Sequence, residues 1–585
     1  MNNFLELAKQ FLNGFFTGIA DIFKTLMSFL SHFEEASEFY TLVVRWILPI
    51  LAVMIFIRCI LPLLQVGKRN KVWGYLRLPD GTQMPLKHWE NSIGRSKLSD
   101  IVINLSFVSR SHAVLTFCDG VWSIADLESK GGVKVNEAKI EKSGIVKYGD
   151  IISLAGVEVM LAPADSGPVD LPQQEIMAWF PNSGKHIKSG MTLLLILLFQ
   201  ILGGIQVCFS MGTEVNPAVP LTFLLFIFAE CIYYIIKRWC SKTYFELELL
   251  GYFLCGLSLL LVAAAATDSL YKQLASIVLG IVVFTVLGML LRDLGLARKL
   301  KYVLVASALV LLVLNLAIGE TRFGAKNWIN LGFITFQPLE FVKIAFVIAG
   351  TATLDKLLTT RNLTAFIGFS GACVGSLVLM RDFGTAVIFF GAFLVIAFMR
   401  SGDVRTIALI SAGAVLGAIT VVSFMPYIAS RFAAWGHVWE YANTSGYQQT
   451  RTMIAAASGG LLGVGGGNGY LVNIAAADTD LVFGMLCEEW GLLIALTAVL
   501  NIVFFAVYSV FLTKSCRSSF YAIAACGATS IFLIQTALNV FGSVDILPLT
   551  GVTMPFVSNG GSSMIASWGL LAFIKSADDR RRPDK

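Results

Sequence analysis

Apolar runs of roughly 17 to 25 residues, the length a helix needs to cross the hydrocarbon core of a bilayer, follow one another along most of this chain. The first covers 40–64, and others fall near 191–209, 219–237, 245–266, 272–292, 301–319, 337–353, 364–380, 383–400, 404–425, 481–513, 520–541 and 556–576. About thirteen spans are predicted. Composition agrees, because 56% of the 585 residues are hydrophobic and only 14% are charged, far from the balance of a water-soluble domain. The fold class is a polytopic α-helical membrane protein.

Orientation follows from the short loops. Lys237-Arg238, the loops at 292–301, 355–361, 400–405 and 514–517, and the tail Arg580-Arg581-Arg582 are rich in Lys and Arg. The positive-inside rule puts them in the cytoplasm, together with the polar stretch 68–188. The loops at 319–338, 426–479 and 544–561 then face outward. The net charge of +6 is distributed over the inner loops, so it reports topology and offers no basic face for nucleic acid. Ten cysteines are scattered, mostly inside apolar segments and with no CxxC pair, which indicates neither a disulfide framework nor a structural zinc site. Residues 1–38 carry apolar side chains at helical spacing (Phe4, Leu7, Ala8, Phe11, Phe15) without the basic start and cleavage site of a signal peptide. They read as an amphipathic interfacial segment. The expected divisions are this segment, a first transmembrane helix at 40–66, a cytoplasmic domain at 72–163, a linker with an extra transmembrane hairpin at 164–240, a core at 241–577 and a cytoplasmic tail at 578–585.

The domain at 72–163 is β-rich, since short alternating runs such as Ala113-Val114-Leu115-Thr116-Phe117 and Val121-Trp122-Ser123-Ile124 are separated by Gly, Asp, Asn and Ser turns. In order it contains Gly94-Arg95-Ser96, Ser109-Arg110-Ser111-His112, Asp126-Leu127-Glu128-Ser129 and Tyr148-Gly149-Asp150. Together these resemble a forkhead-associated (FHA) domain, a phosphothreonine-binding all-β sandwich inserted here on the cytoplasmic side. The resemblance implies that Arg95 and Ser109 contact the phosphate, with Arg110 close by. Arginine beside a hydroxyl is suitable chemistry, charge-assisted and directional. Lys130-Gly131-Gly132-Val133 stands where that family usually has Asn-Gly-Thr, so phosphate-independent docking, with His112 as a structural buttress, is the alternative.

Four segments expected to face outward carry unusual chemistry. In the first, Lys326 and Asn327 precede Gln337-Pro338-Leu339-Glu340-Phe341-Val342-Lys343. Proline suits a first helical turn, and Glu340 and Lys343, three apart, share a face; a structural ion pair is as plausible as a functional one. In the second, Arg381-Asp382-Phe383-Gly384 breaks two short spans, either lining a wet cavity or forming a tight hairpin capped by Asp382. The third is the long loop with Arg431, Arg451 and the glycine-rich 458–467, whose amides could approach a diphosphate or simply be flexible. It runs into Asp480, a lone acid where the polar loop meets an apolar run. Ionisable residues at membrane depth are functional candidates by default, although Thr479 or Asp480 could instead cap the following helix. On a continuous α-helix Glu488 would fall about 80° from Asp480 and roughly 12 Å deeper, with Glu489 on the opposite face. No carboxylate pair is expected. The fourth, 547–563, contains Ser558 and Ser562 and is too rich in Gly and Pro for a plain loop, so it is expected to re-enter the bundle.

In this order the four segments resemble the FtsW/RodA/SpoVE family, the SEDS proteins of bacterial elongation, division and sporulation. Gln337-Pro338-x-Glu340, Thr479-Asp480 and Pro555-Phe556-x-Ser558-x-Gly560-Gly561-Ser562-Ser563 carry the likeness, which covers 241–577 and implies a core of about ten spans. Leu339 replaces the family's Ser, Arg381 its Pro, Asn327 a basic residue and Arg451 a Gln. The resemblance implies a peptidoglycan glycosyltransferase that polymerises lipid II at the outer face of the bacterial cytoplasmic membrane, with Asp480 matching the family's essential carboxylate. It also implies a class B penicillin-binding protein as transpeptidase partner.

A sugar hydroxyl is a poor nucleophile, so a carboxylate that takes its proton is the expected device. Lys326, Gln337, Glu340, Lys343, Asp382, Arg431, Arg451, Ser558 and Ser562 are candidates for substrate binding. Magnesium or manganese, or the basic residues among these, would meet the leaving diphosphate. The remaining partners expected are membrane lipids and a phosphothreonine protein. Two other classes stand beside the enzyme: a flippase for the lipid-linked precursor, and a phospho-regulated scaffold with a degenerate core.

Overall fold

A computed structural model describes residues 34–64, 72–164, 189–401, 432–513 and 519–578, with parts of 402–431, apart from short stretches inside these ranges. Residues 1–33 of the amphipathic segment expected at 1–38, most of the span at 404–425, Arg431 and the arginine tail lie outside the described residues.

Helix α1 (Glu34–Leu64) leads into the β domain. Beyond it come α2 (Ser189–Ser210), α3 (Ala218–Cys240), α4 (Glu246–Ala265), α5 (Leu270–Leu290), α6 (Leu294–Ile318), α7 (Pro338–Ala352), α8 (Thr360–Leu379) and α9 (Phe383–Ser401). The chain ends with α10 (Tyr447–Gly459), a single turn α11 (Val482–Met485), α12 (Leu492–Leu512), α13 (Ser519–Ser543) and α14 (Gly561–Ala577). Among the described residues, 8 helices are long and apolar enough to cross a membrane, and Phe366–Leu379 and Phe383–Met399 are shorter apolar ones. Their residues are apolar all round, as lipid and a buried core both require.

Close packing is set by small residues facing large ones. Trp568 of α14 is fully buried, and a Cβ on Gly251 of α4 would lie 2.8 Å from its ring, one on Gly280 of α5 2.6 Å. Glycine lets these backbones approach where lipid provides no hydrophobic drive.

The β domain is a sandwich of two sheets. One comprises β1 (Gly74–Arg77), β2 (Gln83–Leu86), β7 (Val133–Val135), β8 (Ala138–Lys139), β10 (Ile151–Leu154) and β11 (Val157–Pro163), ordered β2-β1-β11-β10-β7-β8. The other orders β4 (Ile101–Val102), β3 (Glu90–Gly94), β5 (Ala113–Cys118), β6 (Val121–Asp126) and β9 (Ser143–Val146) as β4-β3-β5-β6-β9. Alternating residues Leu76, Ile93, Leu115, Trp122, Ile124, Ile152 and Leu161 fill a core separate from that of the helices.

The run 481–513, expected to be one helix, is broken. After α11 the chain makes a π-turn at Leu486–Trp490 and then passes through Gly491 at φ 87° before α12 starts. The physical cause is the glycine-rich loop, which threads the break. Val464 and Gly465 donate their amides to the Glu488 and Glu489 carbonyls, and the amides of Leu492 and Leu493 are accepted by the Gly460 and Leu461 carbonyls. The backbone groups freed by the break are thereby satisfied by loop backbone.

Candidate active site

Asp480 sits half-buried in a turn, not at a helix cap. Its amide and the Thr479 hydroxyl both return to the Ala476 carbonyl, and α11 begins after Leu481 without a side-chain cap. The Thr479 hydroxyl is thus spent on Ala476 and not on the free amides of α11. The Asp480 carboxylate lies against Gly551, where a Cβ would come within 3.1 Å of Oδ2. Gly551 has φ 68°, so its conformation and its closeness to the acid both call for glycine.

The fourth segment holds this turn from the other side. The Ser558 hydroxyl donates to the Thr479 carbonyl at 2.6 Å, and Asn559 bonds Asp478 twice, amide to carbonyl at 2.9 Å and Nδ2 to Oδ2 at 2.7 Å. Asn539 of α13 spans both strands of the site, donating to the carbonyls of Asp480 and Val552 at 2.9 and 2.8 Å. The segment does re-enter the bundle: Met554, Phe556 and Val557 are buried, and the Phe556 ring packs against Phe505, Phe532 and Trp568.

Glu340 and Lys343 support the same segment from below. They form a buried ion pair at 2.7 Å, and Lys343 Nζ also donates to Gln535 Oε1 at 3.1 Å. That fixes the Gln535 amide so that its Nε2 donates to the Thr553 carbonyl and hydroxyl, while Thr553 meets Ser563 at 2.9 Å. Ser562 accepts the Gln337 amide at 3.1 Å. Gln535 and Asn539 went unremarked in the sequence, although two amides four apart in an apolar helix share one face and are a readable signal.

Asp382 accepts from the Thr385 amide at the start of α9 and from Asn327 Nδ2 at 2.9 Å. Asn327, noted as a departure from the family's basic residue, thus serves as a partner of Asp382. Lys326 Nζ donates to the Leu316 carbonyl at 2.6 Å, and Gly384 packs against Thr550 and Val552. Arg451, on α10, lies over the Tyr447 ring at 5.3 Å. The first, second and fourth segments therefore gather around the Asp478-Thr479-Asp480 turn, which is the end of the third.

The glycine-rich loop is neither a diphosphate cradle nor slack chain. Its amides are taken by the protein's own acceptors: Val464 and Gly465 by the Glu488 and Glu489 carbonyls, Gly467 by Glu489 Oε2 at 3.1 Å, and, just beyond it, Tyr470 and Leu471 donate to the two oxygens of Glu488 at 2.9 Å. The π-turn brings both buried acids to Gly469, where a Cβ would lie 2.9 Å from a Glu488 oxygen and 3.0 Å from a Glu489 oxygen. The expectation that neither acid pairs with Asp480 was argued on a continuous α-helix, which the π-turn replaces.

Among the described residues no three His, Cys, Asp or Glu side chains form a group able to hold a metal ion.

In the β domain, Arg95, Ser109 and Lys130 meet at one end of the sandwich. Arg95 and Ser109 are joined amide to carbonyl at 3.0 Å, and Ser109 Oγ accepts the Lys130 amide at 3.1 Å. Arg110 is exposed beside them. His112, fully buried, accepts the Ser109 amide on Nδ1 and bonds the Gly132 carbonyl through Nε2, each at 3.1 Å. It buttresses the loops that carry Arg95 and Ser109.

A bundle of apolar helices with a polar re-entrant site, joined to a two-sheet β-sandwich, defines the class: a polytopic helical membrane protein carrying an inserted β domain. Residues 239–582 match the family described as Cell cycle protein, FtsW/RodA/SpoVE, and 91–155 match the FHA domain. The chain belongs to the FtsW/RodA/SpoVE family. It is 34% identical over 295 residues to a probable peptidoglycan glycosyltransferase FtsW of Tolumonas auensis, covering 48% of this chain and 76% of that one. It is 27% identical over 346 residues to the probable peptidoglycan glycosyltransferase FtsW of Bacillus subtilis, covering 54% and 83%. With the peptidoglycan glycosyltransferase RodA of Mycobacterium tuberculosis it shares 28% over 334 residues, 53% of this chain and 71% of that one. A chain solved in work on "Structural coordination of polymerization and crosslinking by a peptidoglycan synthase complex" aligns with 24% identity and a TM-score of 0.48, over 57% of this chain and 96% of that chain.

Proposed function

We propose that this protein is a peptidoglycan glycosyltransferase that polymerises lipid II, with Asp480 as its general base. The C4 hydroxyl of an acceptor N-acetylglucosamine attacks the anomeric carbon of the donor's N-acetylmuramic acid. As that bond forms, the hydroxyl proton passes to the Asp480 carboxylate. The anomeric C–O bond breaks with inversion, and its electron pair leaves with undecaprenyl diphosphate. The observation that carries this reading is the clamped turn: Ser558, Asn539 and Asn559 all bond the backbone or side chains of 478–480. A carboxylate fixed in this way is preorganised for proton transfer.

The leaving diphosphate needs positive charge. Arg451 is the described candidate whose Nε has no hydrogen-bond partner, whereas the Lys326 ammonium is already engaged by Leu316. Magnesium or manganese belongs to the proposal only as a counter-ion of the substrate's diphosphate.

The loop charges support a site facing outward across the bacterial cytoplasmic membrane and an FHA domain facing the cytoplasm. A polyprenyl tail can then stay in the bilayer while its sugar reaches the 547–563 segment. A class B penicillin-binding protein as transpeptidase and a phosphothreonine protein at Arg95 and Ser109 are the partners this reading proposes.

The test is polymerisation of purified lipid II in detergent, where no sidedness exists, so glycan formation separates a polymerase from a flippase. Asp480→Asn should insert and purify normally and form no glycan. Asp480→Asn protein that polymerises like the wild type would refute the assignment.

A further inference from the structure

The helices α1 and α2 lie outside the residues that match the family, yet they close on the glycine-rich loop of its core. Gly465 and Gly467 carry no side chain where Thr41 of α1 and Ser210 of α2 approach; a Cβ on Gly465 would lie 2.9 Å from the Thr41 methyl, and one on Gly467 would collide with the Ser210 hydroxyl. Gln206 of α2 donates from Nε2 to Thr41 Oγ1 at 3.0 Å, tying the two helices at this level.

Between them and the loop lies a small cavity of about 10 Å³, lined by Arg45, Gln206, Gly465, Gly466, Glu489 and Trp490 among others. Three of its groups are buried polar atoms without a hydrogen-bond partner: Arg45 Nε, Gln206 Oε1 and Trp490 Nε1. Gln206 is 2% exposed and Trp490 3%. Two donors and one acceptor around a space of this size match one water molecule, which accepts twice, donates to Gln206, and has a second proton for the Glu489 carboxylate. Buried donors are costly to leave unpaired, and one water here would pair all three atoms.

We propose that this cavity is a water-bridged coupling site through which α1 and α2 position the glycine-rich loop, making Arg45 and Gln206 positioning residues for the transferase. The route onward is continuous. Glu489 holds Gly467, Glu488 holds Tyr470 and Leu471, and the chain from Leu471 leads within ten residues to Asp480. At its other end α1 stops at Leu64, ten residues before β1 of the FHA domain, so the sandwich and the loop share one helix. This inference rests on the glycosyltransferase reading for its effect on rate, but not for the coupling itself.

The experiment uses the full-length purified protein as wild type, Arg45→Met, Gln206→Leu and, as a control, Trp46→Ala, whose side chain is 61% exposed on the same helix. Lipid II polymerisation and amide hydrogen exchange over 459–471 are measured on each. Arg45→Met and Gln206→Leu should lower kcat about tenfold or more with KM little changed, and exchange at 463–471 should speed up; Trp46→Ala should match the wild type in both. Two variants on two helices guard against a single misfolded protein. Unchanged exchange in both variants overturns the coupling, and faster exchange with unchanged kcat overturns the positioning role. Wild-type protein that forms no glycan counts against the glycosyltransferase reading, while the exchange comparison still passes or fails the coupling by itself.

Discussion

The Ser558 hydroxyl donates to the carbonyl of Thr479 at 2.6 Å and accepts the Met554 amide at 2.8 Å. One small side chain thus ties the re-entrant segment to the turn that carries the acid. Ser558→Ala leaves a buried amide and a carbonyl unpaired, a cost of about 1–3 kcal/mol. The expected result is a protein that purifies but polymerises lipid II about tenfold or more slowly with KM little changed, because the turn carrying the base shifts. Steady-state kinetics on the purified variant check it.

Gly551 meets two demands at once, a positive φ and contact with the acid. Gly551→Ala strains the backbone and puts a methyl 3.1 Å from Asp480 Oδ2. A fall in kcat of about tenfold or more is expected, with thermal stability in detergent lowered by only about 1–2 kcal/mol. Loss of folding in place of loss of rate would contradict this.

The Glu340–Lys343 pair is a brace. Lys343→Met leaves Glu340 buried without its cation and should destabilise the protein by about 3–5 kcal/mol. The double variant Glu340→Gln with Lys343→Met removes both charges and should recover much of that stability. It should still polymerise poorly, since Gln535 loses the donor that orients it toward Thr553. Thermal unfolding and polymerisation, measured side by side, separate the two effects.

In the FHA domain Asn136 Nδ2 donates to Asp150, as does the Lys147 amide, and these bonds hold the carboxyl below its ordinary value of 3.8. A carboxyl lowered on folding contributes stability above its unfolded pKa and loses it as pH falls through the folded one. Asp150 lies at the surface, only partly covered, so the contribution is under about 1 kcal/mol. Urea unfolding of a 72–164 fragment should show a wild-type advantage over Asp150→Asn at pH 7 that closes below a pH of about 4.

Phosphopeptide affinity is the last expectation. Arg95→Ala should abolish binding of a phosphothreonine peptide, and Ser109→Ala should weaken it by about tenfold, each leaving the far-ultraviolet spectrum of the sandwich intact. Calorimetric titration against matched peptides with and without phosphate is the check. Equal affinity for the two peptides would favour phosphate-independent docking.

Much of the architecture was legible because membranes impose a simple rule: a long apolar run must be a helix, whatever its neighbours do. The β-sandwich was legible for a similar reason, since strand alternation and turn residues are local. Asp480, Ser558, Glu340 and Lys343 could be found as polar residues in costly places. Their relationships could not. Periodicity gave no sign that 481–513 is interrupted, because the interruption is held by a loop about thirty residues earlier that donates and accepts the missing helix bonds.

The sequence by itself determined the membrane class, the inserted β domain and which residues carry chemistry, since burial costs in lipid act on each residue singly. Only the tertiary structure decided that the glycine-rich amides belong to Glu488 and Glu489, that Asp480 sits beside Gly551, and that α1 reaches the loop. Hydrogen bonds across dozens or hundreds of residues are satisfied or lost according to how the segments meet, and no local pattern encodes that meeting.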